Sequence, residues 1–281
     1  ESGAQLVQSL ISKALGDYPG YHKAVSNFIT NSSKQCENPD VTLGKSGSLI
    51  GSSILLENSL PGNAELIENL KLFGDNKMSE IWENLDTYGS LTEKTPISFF
   101  GIAHGWAGIL FATLKWCMQS GSILPSKFFN RIEQLFDLSI KEDDCARWKL
   151  SMSESVSWPG WCHGSAGYTF LWSLLYQQTN DPKYIEMAER AARHFLTKGK
   201  DGMNASLCCG SAGQAYALLN LYRATNKSVY LNEAKSLSKN VLKNFYSSQM
   251  RNHSLYKGDV GAAILFTELN SPGFALMPLF E

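Results

Sequence analysis

Cys162 and the adjacent pair Cys208 and Cys209 are the residues of this sequence best suited to binding a metal. Each stands at the head of a glycine-led apolar segment, Cys162 in WCHG and the pair in LCCG. Thiolates are good zinc ligands, and three protein ligands leave the open fourth position that catalytic zinc sites keep. The pattern therefore indicates one zinc ion per chain. The alternative for the adjacent pair is a vicinal disulfide.

Two histidines and one aspartate are candidates for proton transfer beside that metal. His163 follows Cys162 directly and is either a further ligand or a group that hydrogen-bonds to a ligand. His104 immediately precedes the first glycine of another segment, and an imidazole beside a metal-bound nucleophile suits proton transfer near neutral pH. Asp40, four residues before a further such glycine, is the third candidate, although Asn-Pro-Asp is also typical of turns.

Other residues of the same types have simpler interpretations. Lys257 and Asp259 form a solvated or capping pair in YKGDVG. Cys117 lies in an apolar helical run, where a buried and unreactive thiol is expected. Cys36 and Cys145 lie in polar sequence that is typical of loops.

An internal repeat positions these residues. The copies at Gly164 and Gly210 align without a gap at an offset of 46 residues, which places Cys162 on Cys208 and His163 on Cys209. Both pairs should therefore lie at the heads of adjacent helices. Five segments in all begin with Gly-x-x-Gly and continue as a small and apolar run: Gly44/Gly47, Gly105/Gly108, Gly164/Gly167, Gly210/Gly213 and Gly258/Gly261.

The stretches between these segments are amphipathic. From Val229 to Phe245 the apolar residues follow one helical face, and Asp181-Pro182 is typical of a helix start. Each repeat is thus a helical hairpin, with one helix that is apolar nearly all round and a second with one apolar stripe. The fold class is all-α, and closing the hairpins into a ring gives an α,α-toroid, a double-layered helical barrel. An open solenoid of helix pairs is the alternative.

Composition excludes several classes of partner. The 281 residues include 25 Lys and Arg against 26 Asp and Glu, and a net charge of −1 argues against binding nucleic acid. No apolar run approaches the roughly 18 residues that a membrane helix needs. Without a secretory signal, the six cysteines are expected to be reduced in the cytoplasm. There is no initiator Met, which suggests a fragment of a longer protein.

The ordered motifs GIAHGWAG, WCHGSAG, CCG and SLYKGDVG, with the closing MPLFE, resemble the lanthionine synthetase C-like cyclases. The resemblance spans residues 38–281. The closing SLYKGDVG and MPLFE resemble the C-terminal cyclase domains of multidomain lanthipeptide synthetases. It implies a double-layered α,α-barrel and one zinc ion held by Cys162, Cys208 and Cys209, as in the subgroup with three cysteine ligands. It also implies His104 as the acid–base group and Asp40 as the residue that orients it or helps to remove the thiol proton.

The implied reaction is intramolecular Michael addition of a peptide cysteine to dehydroalanine or dehydrobutyrine, which forms a thioether ring. The substrate would be a precursor peptide whose Ser and Thr have been dehydrated by an upstream kinase- or lyase-type domain. On this interpretation residues 1–35 form an N-terminal helical segment that packs on the barrel. Residues 36–281 form the cyclase domain, the C-terminal part of a longer synthetase.

The sequence departs from the family pattern in two respects. Trp158 occupies the position four residues before the first zinc cysteine, where the family commonly has an arginine, and the nearby Arg147 is a possible replacement. Only five glycine-led helices are visible, whereas the family barrel usually has seven. These departures favour one alternative, an inactive zinc- or thiol-binding module. A more remote alternative is an α,α-toroid glycoside hydrolase that uses Asp40 and Asp259.

Overall fold

The computed structural model of the chain describes residues 1–60, 62–93, 95–198, 203–247 and 252–281. Within these ranges eleven α-helices and one short β-hairpin are present, which confirms the prediction of an all-α chain. None of the described helices is long and apolar enough to span a membrane. The elements are α1 (Ser2–Ala14), α2 (Tyr18–Ser32), α3 (Lys45–Glu57), α4 (Ala64–Leu85), α5 (Trp106–Ser120), α6 (Phe128–Asp137), β1 (Ile140–Glu142), β2 (Cys145–Arg147), α7 (Ser165–Thr179), α8 (Pro182–Lys198), α9 (Ser211–Thr225), α10 (Ser228–Ser247) and α11 (Asp259–Asn270).

The chain divides into two compact units. The first comprises residues 1–95 and 108–132, and the second comprises residues 96–107 and 133–281. In the first unit α1 packs against α2 and α3, and α4 packs against α3. The core of this unit includes Tyr21, Val25 and Phe28 of α2, which follow helical spacing.

The second unit contains two of the predicted hairpins. Helix α7 packs against α8, α9 packs against α10, and α9 also contacts α7 and α11. In α7 every residue from Ser165 to Ser173 is buried, and in α9 every residue from Ser211 to Leu219 is buried. Burial on all sides is expected for the glycine-led helices, which have no polar face.

The second helix of each hairpin is amphipathic, as predicted. Helix α8 begins at Pro182, and Asp181 Oδ1 accepts the Lys183 N–H at 3.0 Å. On α10 the stripe of Tyr230, Ala234, Leu237 and Val241 is buried, while Leu242 at its edge remains exposed.

The two hairpins also end alike. Asn180 after α7 and Asn226 after α9 are both left-handed, with φ values of 54° and 55°, and both donate their N–H to the residue four positions earlier. The 46-residue sequence offset is therefore a repeat of local structure as well.

The β-hairpin was not predicted. Strand β1 pairs antiparallel with β2, which packs against α8, so Cys145 lies in a strand and not in a loop. Strands of three residues are too short for alternation to reveal them in the sequence.

The first glycine of each repeat is required by a close backbone approach. In all five repeats a Cβ at this glycine would collide with the carbonyl oxygen of the residue six positions earlier. The residue after the glycine donates its N–H to that same carbonyl group, for example Ser165 to Trp158 at 3.1 Å. A loop thus folds back over each helix start, and only glycine leaves room for it.

We expect Gly164→Ala to lower the free energy of unfolding by at least ~2 kcal/mol, because its Cβ meets the fixed Trp158 carbonyl group. Gly3→Ala in α1 is the matched control, since its Cβ has no neighbour within 4 Å. Urea denaturation of the two variants measures the difference. Equal stability would show that the loop is not held against the helix start.

Candidate metal centre

A short turn of the same kind precedes each glycine-led helix. The five turns comprise residues 41–43, 102–104, 161–163, 207–209 and 255–257, and each ends directly before the first glycine of its repeat. Four of them lie in the second unit. The candidate residues from His104 to Cys209 all lie within these turns.

Backbone hydrogen bonds join these four turns in order. Ala103 donates its N–H to the Cys162 carbonyl group at 3.0 Å, and Cys162 donates to the Cys208 carbonyl group at 3.0 Å. Cys208 in turn donates to the Tyr256 carbonyl group at 2.8 Å. The middle residue of each turn is thereby bonded to the middle residue of the next, and we call this series the turn ladder.

Two further glycines allow adjacent turns of the ladder to touch. A Cβ at Gly101 would lie 2.5 Å from the Cα of His163, and a Cβ at Gly160 would lie 3.1 Å from the Cα of Cys209. Both glycines occupy the position four residues before the first helix glycine. The side chains at the ends of neighbouring turns are therefore brought close together.

The turn ladder gathers Cys162, Cys208 and Cys209 into one cluster. The Cys162 and Cys209 sulfurs are 3.4 Å apart, the Cys208 and Cys209 sulfurs are 3.3 Å apart, and all three lie within 4.8 Å of one another. Two sulfurs bound at ~2.3 Å to a tetrahedral zinc lie about 3.8 Å apart, so this donor set fits zinc. Cys209 is exposed, which leaves the cluster open to a ligand from solution.

The three thiols interact strongly through their protons. Hydrogen bonding with Cys162, and then with Cys208, lowers the pKa of Cys209 to about 3. The pKa of Cys162 is raised, because its thiol donates to Cys208 and Cys209 and because it is largely buried. The cluster therefore stabilises a thiolate, which is the form of cysteine that binds a metal.

His104 and His163 lie together beside this cluster. Their rings are stacked at a centroid distance of 5.4 Å, and the Phe99 ring contacts His163 at 5.1 Å. Burial lowers the pKa of His163, and the neighbouring His104 lowers it further. The structure thus brings together His104, His163 and the three cysteines, which are five of the six residues singled out in the sequence.

Asp40 belongs to the first unit and has a clear local contact. Its Oδ1 accepts the Leu43 N–H at 2.6 Å, and the residue is only 7% exposed. Ser206 and Ser254 occupy the equivalent position of two other repeats and accept the N–H groups of Cys209 and Lys257. Asp40 therefore holds its turn as these serines do, and its catalytic role stays a prediction.

The residues discussed as departures from the family pattern have different surroundings. Trp158 is 52% exposed. Arg147 forms an ion pair with Glu142 and donates to Ser157 Oγ at 3.1 Å. Asp259 is the first residue of α11, where a negative charge is favourable to the helix dipole, and Gly258 is the N-cap.

Lys257 was not recognised from the sequence as part of this site. Its turn lies directly against the turn of Cys208 and Cys209, because the Tyr256 carbonyl group accepts the Cys208 N–H at 2.8 Å. The signal that could have found it is its position directly before Gly258, which corresponds to Cys209, His163 and His104 in the other turns of the ladder.

Helical hairpins with a three-cysteine cluster at the heads of their buried helices define an all-α protein with a candidate metal centre. The family model for "Lanthionine synthetase C-like protein" matches residues 1–281. The chain belongs to this lanthionine synthetase C-like family. No curated protein sequence matches the chain.

A solved structure of nisin cyclase is similar to this chain. The TM-score is 0.57 at 12% sequence identity, and the match covers 95% of this chain and 86% of that chain. A likeness at this identity establishes the fold, and it confirms the prediction of the α,α-toroid class. The division of the chain at residue 35 stays a prediction, as does the catalytic assignment of each site residue.

Proposed function

We propose that this protein is a zinc-dependent cyclase that adds peptide cysteine thiols to dehydroalanine or dehydrobutyrine and so forms thioether rings. The observation that carries the proposal is the cluster of Cys162, Cys208 and Cys209 in a chain of the lanthionine synthetase C-like family. Membership of this family and the nisin cyclase fold support a cyclase-type role.

The three cysteines would hold one zinc ion per chain. When bound, zinc lowers the pKa of a ligated substrate thiol, so that the nucleophilic thiolate is present at neutral pH. Because three residues fill only three of four tetrahedral positions, and because Cys209 is exposed, the cluster has room for a peptide cysteine.

The reaction needs two proton movements and no leaving group. The substrate thiol gives its proton to a base, and the carbon–sulfur bond forms as the electron pair of the carbon–carbon π bond moves to an enolate. The α-carbon of the enolate then takes a proton from a general acid. We assign that last transfer to His104, whose ring stacks on His163 within the turn ladder. His163 would fix the position of the His104 ring.

The partners follow from this chemistry. The substrate is a precursor peptide that already contains dehydrated Ser and Thr, so a dehydratase domain or protein must act first. The metal site needs free thiols, and all six cysteines of the chain are free thiols. We therefore place the reaction in the reducing cytoplasm.

A second candidate function is supported by Trp158 and Arg147. Trp158 stands where the family commonly has an arginine, and Arg147 is engaged by Glu142 and Ser157. A module that binds zinc and a peptide thiol without closing rings fits this observation. Ring formation by the wild-type protein distinguishes the two functions.

We expect the wild-type protein to close rings in a dehydrated precursor peptide that contains cysteine. Ring closure converts the cysteine thiol to a thioether, so the product no longer reacts with a thiol-alkylating reagent, and mass spectrometry measures this loss of alkylation. His104→Ala should reduce the rate by about 100-fold, because it removes the general acid while leaving the cysteines intact. His22→Ala on α2 serves as the control. A wild-type protein that binds the peptide thiol and forms no ring would contradict the cyclase assignment and support the binding module.

Asp40→Ser removes the carboxylate but keeps a side-chain oxygen that can accept the N–H bond of the turn. Ser206 and Ser254 hold equivalent turns without a charge, so a serine should keep the fold at position 40. The family resemblance gives this carboxylate the role of orienting the acid–base group or helping to remove the thiol proton, and an uncharged serine cannot act as that base. We therefore expect a melting temperature near that of the wild type and a loss of ring formation of about tenfold or more.

Asp17→Ser is the matched control for Asp40→Ser. Asp17 caps α2 by accepting the Gly20 N–H at 2.9 Å, and a serine can make the same bond. This variant should cyclise at the wild-type rate. Full activity of Asp40→Ser would show that Asp40 holds its turn and has no catalytic role.

A further inference from the structure

Lys257 occupies a site position in the last turn of the ladder. It is the residue directly before Gly258, as Cys209 is directly before Gly210. The neighbouring Tyr256 carbonyl group accepts the Cys208 N–H at 2.8 Å, so the turn that carries Lys257 lies directly against the turn that carries two of the cysteines.

Several contacts fix the backbone of this turn while the Lys257 side chain stays exposed. The Tyr256 ring packs against Trp161 at a centroid distance of 5.0 Å, and its hydroxyl donates to the Pro278 carbonyl group at 2.6 Å. The Lys257 N–H donates to Ser254 Oγ at 3.1 Å. The backbone of this turn is therefore held by several contacts, and the Lys257 side chain that it carries is exposed.

The charge of the proposed site requires a cation of this kind. Three thiolates around a divalent zinc leave one negative charge, and a substrate thiolate in the fourth position makes two. Such an accumulation of negative charge disfavours binding of the fourth thiolate unless a nearby positive charge offsets it. Lys257 directly follows Tyr256, whose carbonyl group accepts the Cys208 N–H, so it is a cationic residue in the turn next to the two cysteines.

We propose that Lys257 is a positioning residue of the metal centre, whose ammonium group offsets the charge of the three cysteine thiolates and thereby strengthens binding of the peptide thiolate. This inference rests on the proposed function, since it requires the cysteines to hold a metal. Lys257 would act through Cys208 and Cys209 on binding of the nucleophile, whereas His104 would act on proton transfer.

Cobalt substitution tests this inference without measuring activity. The protein is loaded with Co²⁺ in place of zinc and titrated with N-acetylcysteine amide, a thiol that has no other charge. Growth of the thiolate-to-cobalt charge-transfer absorption reports binding of a fourth thiolate. The variants are Lys257→Met, Lys257→Arg and the control Lys239→Met, which removes an exposed lysine from α10.

Lys257→Met should weaken thiol binding by about fivefold at low ionic strength, and the difference should shrink as salt is added, because the ammonium is exposed. Lys257→Arg should bind within about twofold of the wild type, since it keeps the charge, and Lys239→Met should match the wild type. A role limited to packing would show no such salt dependence.

The outcomes separate this inference from the proposed function. The proposed role of the lysine charge is wrong if Lys257→Met binds the thiol as tightly as the wild type, or if Lys257→Arg binds it as weakly as Lys257→Met. Neither result would argue against the metal site. If the wild-type protein shows no thiolate-to-cobalt absorption at all, the proposed metal centre and the role of Lys257 are wrong together.

Discussion

The site depends on the backbone hydrogen bonds that join successive turns of the second unit. The Cys208 carbonyl group accepts the N–H groups of both Trp161 and Cys162, while its own N–H is bonded to Tyr256. These bonds are made by the backbone, so they fix where each turn lies whatever side chains it carries. The last residue of each turn supplies a side chain to the site, and cysteine, histidine and lysine occupy these positions.

The helices supply the rigidity that this arrangement needs. Helices α7 and α9 are buried on every side over their first nine residues, so the turns at their N-termini are anchored in the core. The first glycine of each repeat lets the preceding loop fold back over the helix start. Because a shift of one ångström at a metal ligand is costly for binding, placing ligands at the ends of packed helices suits a metal centre.

Much of this arrangement could be predicted from the sequence. The ungapped 46-residue offset aligned Cys162 with Cys208 and His163 with Cys209, and the structure places these residues in equivalent and adjacent turns. The same offset relates Asn180 to Asn226, which end their helices in the same left-handed conformation. Local sequence repeats predict local structure well because each repeat is the same helical hairpin, with its residues packed in equivalent positions.

Other features could not be predicted, for identifiable physical reasons. The contribution of Lys257 depends on the distance between turns that are far apart in sequence, and a lysine before a glycine is usually a solvated residue. The shared role of Asp40, Ser206 and Ser254 is hidden because different side chains accept the same kind of N–H bond. The stack of His104 on His163 requires the turn ladder itself, whose hydrogen bonds join backbone groups of turns that are far apart in sequence.

The central claim is that three thiolates of adjacent turns hold one metal ion, and zinc X-ray absorption on the purified protein tests it most directly. We predict one zinc per chain with three sulfur neighbours at about 2.3 Å and one lighter ligand. Two sulfurs with a histidine nitrogen would instead make His163 or His104 a ligand in place of one cysteine. A well-folded, reduced protein that binds no zinc would contradict the account.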